Sequence, residues 1–185
     1  MIRLLSIMCV GLLFSCQDNV QPKPNSFLRL EYKDASYKTF DSDAYSFTFQ
    51  YSENARIVKK RNQWLDIYYP KLNATLVLSY MPVKNNLRFL LKDAEKLTFK
   101  HMIKADDIQA VPYVNLHTKV YGKMFEVYGD AATQIQFHAT DSVKNFMTGA
   151  LYFYAKPNYD SLMPAVHFLK KDVIRLMETL EWKEE

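Results

Sequence analysis

The chain has 185 residues, 49% hydrophobic and 24% charged, the mixture of an ordinary globular protein rather than a disordered or polytopic membrane chain. A formal net charge of +4, carried by dispersed lysines and arginines, is too small to point to nucleic acid. Glycines at 11, 122, 129 and 149 stand too far apart for a phosphate-cradling loop, and no His-Glu-x-x-His, Gly-x-Ser-x-Gly or Cys-x-x-Cys occurs, which argues against nucleotide-driven, zincin, α/β-hydrolase or dithiol chemistry.

In chain order, Met1-Ile2-Arg3 gives a positive start and residues 4–14 an apolar run, too short to span a bilayer but the size of a signal-peptide core. Leu13-Phe14-Ser15-Cys16 resembles a bacterial lipobox, so residues 1–15 are expected to be a lipoprotein signal peptide and Cys16 the lipidation site, with a thioether-linked diacylglycerol and an acylated amino group. The second cysteine, Cys9, lies within the leader and would leave with it, so no disulfide is expected. Two or three acyl chains exceed what stable anchoring needs. Residues 16–26, the acylated cysteine and a polar run with Pro22 and Pro24, read as a flexible tether. Residues 27–185 are expected to form one globular domain.

Tyr45, Phe47, Phe49 and Tyr51 alternate with polar residues, the period of a half-buried strand. Residues 64–69 and 74–80 predict two further strands, antiparallel neighbours because only 70–73 separate them. Leu87, Leu90, Leu91, Ala94, Leu97, His101, Ala105 and Ile108 recur at helical steps and predict a helix over 87–108, capped at Asn85 or Asn86 and ended by Pro112. Strands are expected at 117–128 and 133–139, joined by a turn at Gly129-Asp130, and at 145–154. A closing helix carries Leu162, Val166, Leu169, Val173, Leu176, Met177 and Leu180 on one side, with Ser161 as N-cap to accommodate Pro164 and Trp182 packing beyond its end. The order predicts an α+β fold: an antiparallel sheet of five to seven strands with two main helices packed on it.

Several residues invite a chemical reading. His101 falls on the apolar stripe of its helix and reads as a core histidine. His117 and His138 lie on the two strands of one hairpin, near Asp141 and Ser142, but neighbouring strand residues point to opposite faces, and a triad must converge on one point. Asp141-Ser142 is better read as a turn or cap before Phe146. No catalytic residue, metal ligand or cofactor site is therefore expected, beyond the covalent lipid. Among 13 tyrosines, 12 phenylalanines and two tryptophans, most serve the core; Tyr68, Tyr69, Tyr113, Tyr152 and Tyr154 are left as candidates to line a groove. The run Lys59-Lys60-Arg61 reads as a solvated turn.

The ordered set Phe27-Leu-Arg-Leu, Trp64-Leu-Asp-Ile, Tyr69-Pro-Lys, Phe99-Lys-His-Met-Ile-Lys-Ala-Asp, Lys119-Val-Tyr-Gly, Gln136-Phe-His-Ala-Thr-Asp-Ser, Gly149-Ala-Leu-Tyr-Phe, Pro157-Asn-Tyr-Asp-Ser-Leu and Glu178-Thr-Leu-Glu-Trp-Lys resembles the gliding-motility lipoproteins of the GldD type found in Bacteroidota. The resemblance implies a lipid-anchored envelope protein required for gliding and linked to the type IX secretion machinery. It implies a non-enzymatic accessory role, with other gliding or secretion envelope proteins as partners. Only Cys16 carries over as a site residue. The element order also resembles the PsbP-like fold. The mildly acidic Gln17-Asp18-Asn19 fits the periplasmic side of the inner or outer membrane better than the cell surface. A lipid- or glycan-binding envelope domain is the alternative.

Overall fold

The computed structural model describes residues 36–100, 105–155 and 158–183, apart from the side chain of Lys100. The expected signal peptide, Cys16, the tether and His101 lie outside the described residues. The elements run β1 (Tyr37–Phe40), β2 (Phe47–Ser52), β3 (Arg56–Lys59), β4 (Leu65–Tyr69), β5 (Ala74–Pro82), α1 (Leu87–Lys100), β6 (Asp107–Asn115), β7 (Val120–Tyr128), β8 (Thr133–Thr140), β9 (Asn145–Phe153), α2 (Tyr159–Glu178) and β10 (Glu181–Trp182). Seven strands form one sheet in the order β3-β4-β5-β9-β8-β7-β6, and β1-β2-β10 form a second, smaller sheet. Every described pairing is antiparallel. The fold is α+β with two main helices on antiparallel sheets, as the element order predicts.

The two helices cover opposite faces of the large sheet. In β4 and β5 the residues Leu65, Ile67, Tyr69, Leu76 and Leu78 are buried, and across the register they meet Leu151, Ile135 and Phe137 on β9 and β8. Against this face pack α2, through Val166, Leu169, Val173, Leu176 and Met177, and the aromatic set Phe40, Phe47 and Phe49 of the small sheet, joined by Tyr45, which lies in the turn before β2 and not in the strand expected there. Burying an aliphatic or aromatic side chain contributes about 1.5–3 kcal/mol, so this layer holds most of the fold's stability. Gly149 belongs here for a steric reason: a Cβ would lie 2.0 Å from the Phe137 ring, which crosses the strand at that point.

Four further expectations need correction. The helix predicted over 87–108 ends at Lys100 in the described residues, and 107–115 is strand β6, paired along its length with β7. Ile108 met the helical step by coincidence. Pro112 does not end a helix but sits within β6, an edge strand, where a missing N–H is tolerated. The strand predicted from 117 begins at Val120, because Asn115 Oδ1 accepts from His117 N (3.0 Å) and Thr118 N (3.2 Å) and turns the chain there. The N-cap of α2 is Asn158, not Ser161: its side chain accepts from Ser161 N, while Tyr159 N donates to Asp130 Oδ1 at 2.8 Å. Pro164 consequently lies inside the helix, where its lost hydrogen bond concerns only a carbonyl of the first turn. At α1, Asn86 holds the expected N-cap position, its carbonyl accepting from Leu90 N at 3.1 Å, while its Oδ1 accepts from Lys84 N (2.8 Å) outside the helix. Strands β1, β3 and β10, of two to four residues, were too short to show a period. By contrast Trp182 packs beyond α2 as expected, in β10 opposite Phe47.

Candidate functional site

The sequence candidates for acid–base chemistry do not meet. His138 lies on β8 at 4% exposure, its ring 6.0 Å from those of Phe125 and Phe146 and nearly parallel to the latter. Burial, and secondarily Lys123, push its pKa below the ordinary 6.5, against a smaller upward pull from Glu95. His117 is exposed in the β6–β7 turn. Asp141 organises the β8–β9 turn: its Oδ1 accepts from the N–H groups of Val143, Lys144 and Asn145, all at 2.8 Å, and its Oδ2 from Asn145 Nδ2 at 2.7 Å. Burial pushes this carboxyl up, but the donors together outweigh it and hold the pKa below its ordinary value. Ser142 is exposed, with φ 69° in that turn. Asp141-Ser142 therefore forms the turn the sequence predicts. Among the described residues no three His, Cys, Asp or Glu side chains gather as metal ligands.

The tyrosines divide between the two faces. Tyr69 and Tyr113 pack with the α2-side core. Tyr68 and Tyr152 flank Thr75 across the β4-β5-β9 register, and Thr75 Oγ1 is 3.3 Å from the Tyr154 hydroxyl. The five do not line one groove. Lys60 pairs with Asp66 (2.8 Å) and Lys59 lies over the Phe40 and Tyr45 rings, so the basic run is a solvated turn between β3 and β4, as expected.

Two hollows emerge that the sequence did not disclose. Under α1 a cleft of about 200 Å³ is bounded by Ala94, Leu97 and Thr98 of the helix and by Ser79, Gln136, His138 and Tyr152 of the sheet. Thr98 Oγ1 lies 3.0 Å from Gln136 Oε1, yet Gln136 Nε2 and His138 Nδ1 have no hydrogen-bond partner among the described residues. Both side chains are more than nine-tenths buried, and unpaired buried polar atoms normally cost about 1–3 kcal/mol each. The second hollow, of about 480 Å³, opens at the end of the sheet where β5 ends and β7 and β9 begin; Lys84, Lys119, Lys144 and Lys183 line it with Trp182.

A third unforeseen feature is Asp172 on α2, 2% exposed, whose Oδ1 accepts from the Tyr37 hydroxyl at 3.0 Å. Burial raises its pKa, opposed by the Tyr37 and Tyr69 hydroxyls, and Tyr37 itself is pushed up to about 12, mainly by burial. The contact ties β1 to α2 across 135 residues, a separation no local pattern exposes.

Comparison with known proteins bears on fold and family. The solution structure of cyanobacterial PsbP (CyanoP) from Synechocystis sp. PCC 6803 is similar over 82% of this chain and 95% of its own, with a TM-score of 0.51 at 7% identity, a likeness of fold alone. No curated protein matches the sequence. Among the described residues no helix is long and apolar enough to cross a membrane. The model of the family described as gliding motility lipoprotein GldD matches residues 17–182, and the chain belongs to that family of membrane-anchored envelope lipoproteins.

Proposed function

We propose that this protein is a non-enzymatic accessory component of the gliding apparatus and its associated type IX secretion machinery. Lipid on Cys16 holds it to the membrane, the tether 17–26 spaces it from that surface, and the α+β domain contacts other envelope proteins from the periplasmic side. The family match carries the reading, and it begins at the residue after Cys16. The dispersal of His117, His138, Asp141 and Ser142 supports a binding role over a hydrolytic one. Deleting the gene should abolish gliding and reduce type IX secretion, and wild-type protein should restore both. Cys16→Ala should abolish acyl labelling and fail to complement. Intact gliding and secretion in the deletion strain would overturn the assignment.

A second reading, an envelope domain that binds a lipid or glycan, is favoured by the α1 cleft, whose lining residues Gln136 and His138 hold buried Nε2 and Nδ1 atoms with no partner among the described residues. Nuclear magnetic resonance of the His138 ring, with glycan fragments or short-chain lipids added, checks it. An unmoved His138 signal would leave only the accessory role.

A further inference from the structure

Three turns converge at one end of the large sheet, and each places a lysine there. The segment from β5 to α1 carries Lys84, the β6–β7 turn Lys119, and the β8–β9 turn Lys144. Each turn is pinned by a non-glycine residue in the left-handed region: Asn85 at φ 58°, Lys119 at 53° and Ser142 at 69°. Such conformations persist only where surrounding structure enforces them. Here Val83 N donates to Lys144 O at 2.7 Å, joining two of the turns, and Lys183 N donates to Ser46 O at 2.9 Å, bringing β10 and a fourth lysine to the same rim.

The charge balance around this hollow is one-sided. Four lysines face one lining carboxylate, Asp141, whose oxygens are already engaged by the N–H groups of its own turn. Lys60, Lys123 and Lys170 elsewhere have acidic partners, and Lys183 has Asp41. Lys84, Lys119 and Lys144 make no ion pair among the described residues. Asp41 on Lys183 and the ionised Asp141 offset part of this charge, and the remaining excess of positive charge is unfavourable and is relieved when an anion enters. Behind the rim, two lining residues hold buried polar atoms without a hydrogen-bond partner among the described residues, the Trp182 indole Nε1 and the Thr118 hydroxyl.

We propose that this hollow is a binding site for a substituted phosphoryl group, a phosphate mono- or diester. The rim offers several ammonium donors, which suits a ligand rich in acceptor oxygens. Lysine ammoniums act as point charges suited to phosphate. The volume, about 480 Å³, lies in the range of small-molecule sites and exceeds what a bare phosphate needs. The adjoining Pro82, Val83 and Trp182 give the organic substituent an apolar seat. A lipid headgroup and a soluble phosphate ester share this chemistry. The site lies apart from the α1 cleft, so its failure would leave the readings above untouched.

The test uses the acylated protein in phosphatidylcholine vesicles, with Trp64→Phe so that Trp182 is the sole tryptophan. Three arms follow Trp182 emission at constant ionic strength: added inorganic phosphate, added glycerol phosphate, and phosphatidylglycerol included in the bilayer. A saturable change with glycerol phosphate, tighter than with inorganic phosphate, identifies a soluble ester; a change on including phosphatidylglycerol identifies the lipid headgroup. Lys84→Gln/Lys144→Gln should weaken either response at least about tenfold, while the charge-matched Lys92→Gln/Lys96→Gln, on the exposed side of α1, should alter it less than about twofold. No saturable response in any arm, equal weakening by the two double variants, or equal competition by acetate would each overturn the proposal.

Discussion

The two faces of the interior strand β8 differ as sharply as two proteins would. Towards α2 it presents Ile135, Phe137 and Ala139, all at 3% exposure or less; towards α1 it presents Gln136, His138 and Thr140, just as buried in class but polar. The helices follow suit. α2 buries seven of its residues, whereas among the described side chains of α1 only Leu90 and Thr98 are buried and Phe89, Leu97 and Phe99 stay exposed. One face is built to hold the sheet together. The other leaves a cleft beside buried polar atoms that have no partner among the described residues, so tight packing and unmet polarity are divided across the thickness of a single sheet.

The contrast can be broken most strongly by trimming the packed face. Leu169→Ala should cost about 3–5 kcal/mol, read by urea denaturation, against less than half of that for Leu90→Ala, whose surroundings are more open. Equal losses would mean that α1 is as firmly packed as α2. The next effect concerns pH. The unfolded imidazole takes up a proton as pH falls below about 6.5, but folded His138 resists it through burial and Lys123. Stability should therefore fall with acidification through that window, by at most about 1.4 kcal/mol per pH unit, and His138→Gln should remove this part of the slope when urea midpoints are compared at pH 7.5 and 5.5. Asp141, with its lowered pKa, contributes stability that is lost only at more acid pH. The smallest effect is expected at the rim of α1. Lys123 meets Glu95 at 2.7 Å with both side chains more than one-third exposed, so Glu95→Gln should cost less than about 1 kcal/mol and still less at high salt.

Much of the packed face was legible in the sequence, because period-two burial leaves its mark within six residues: Phe47 and Phe49, or Leu65, Ile67 and Tyr69, announce their strands without help from the rest of the chain. The stretch 105–115 was misread for the converse reason. Its residues are mostly exposed on an edge strand, so no alternation contradicts the helical step that Ala105 and Ile108 happen to satisfy. The hollows were out of reach. Gln136 joins Thr98 across 38 residues, and Lys84, Lys119 and Lys144 meet only because sheet register brings three distant turns together. The family resemblance drew on the order of many short stretches, and the match over 17–182 agrees with it.

Strand β2 carries β1 along one edge and β10 along the other, so the first and last described strands are stitched to the same six residues. With the anchor proposed at Cys16, a pull from the N-terminal side would enter the described domain through this small sheet. A pull arriving ahead of Tyr37 is met by four β1–β2 residue pairs and by the Tyr37–Asp172 clasp before it reaches the seven-stranded sheet. Peeling β1 would leave every pairing of the seven-stranded sheet in place, since β1 pairs only with β2.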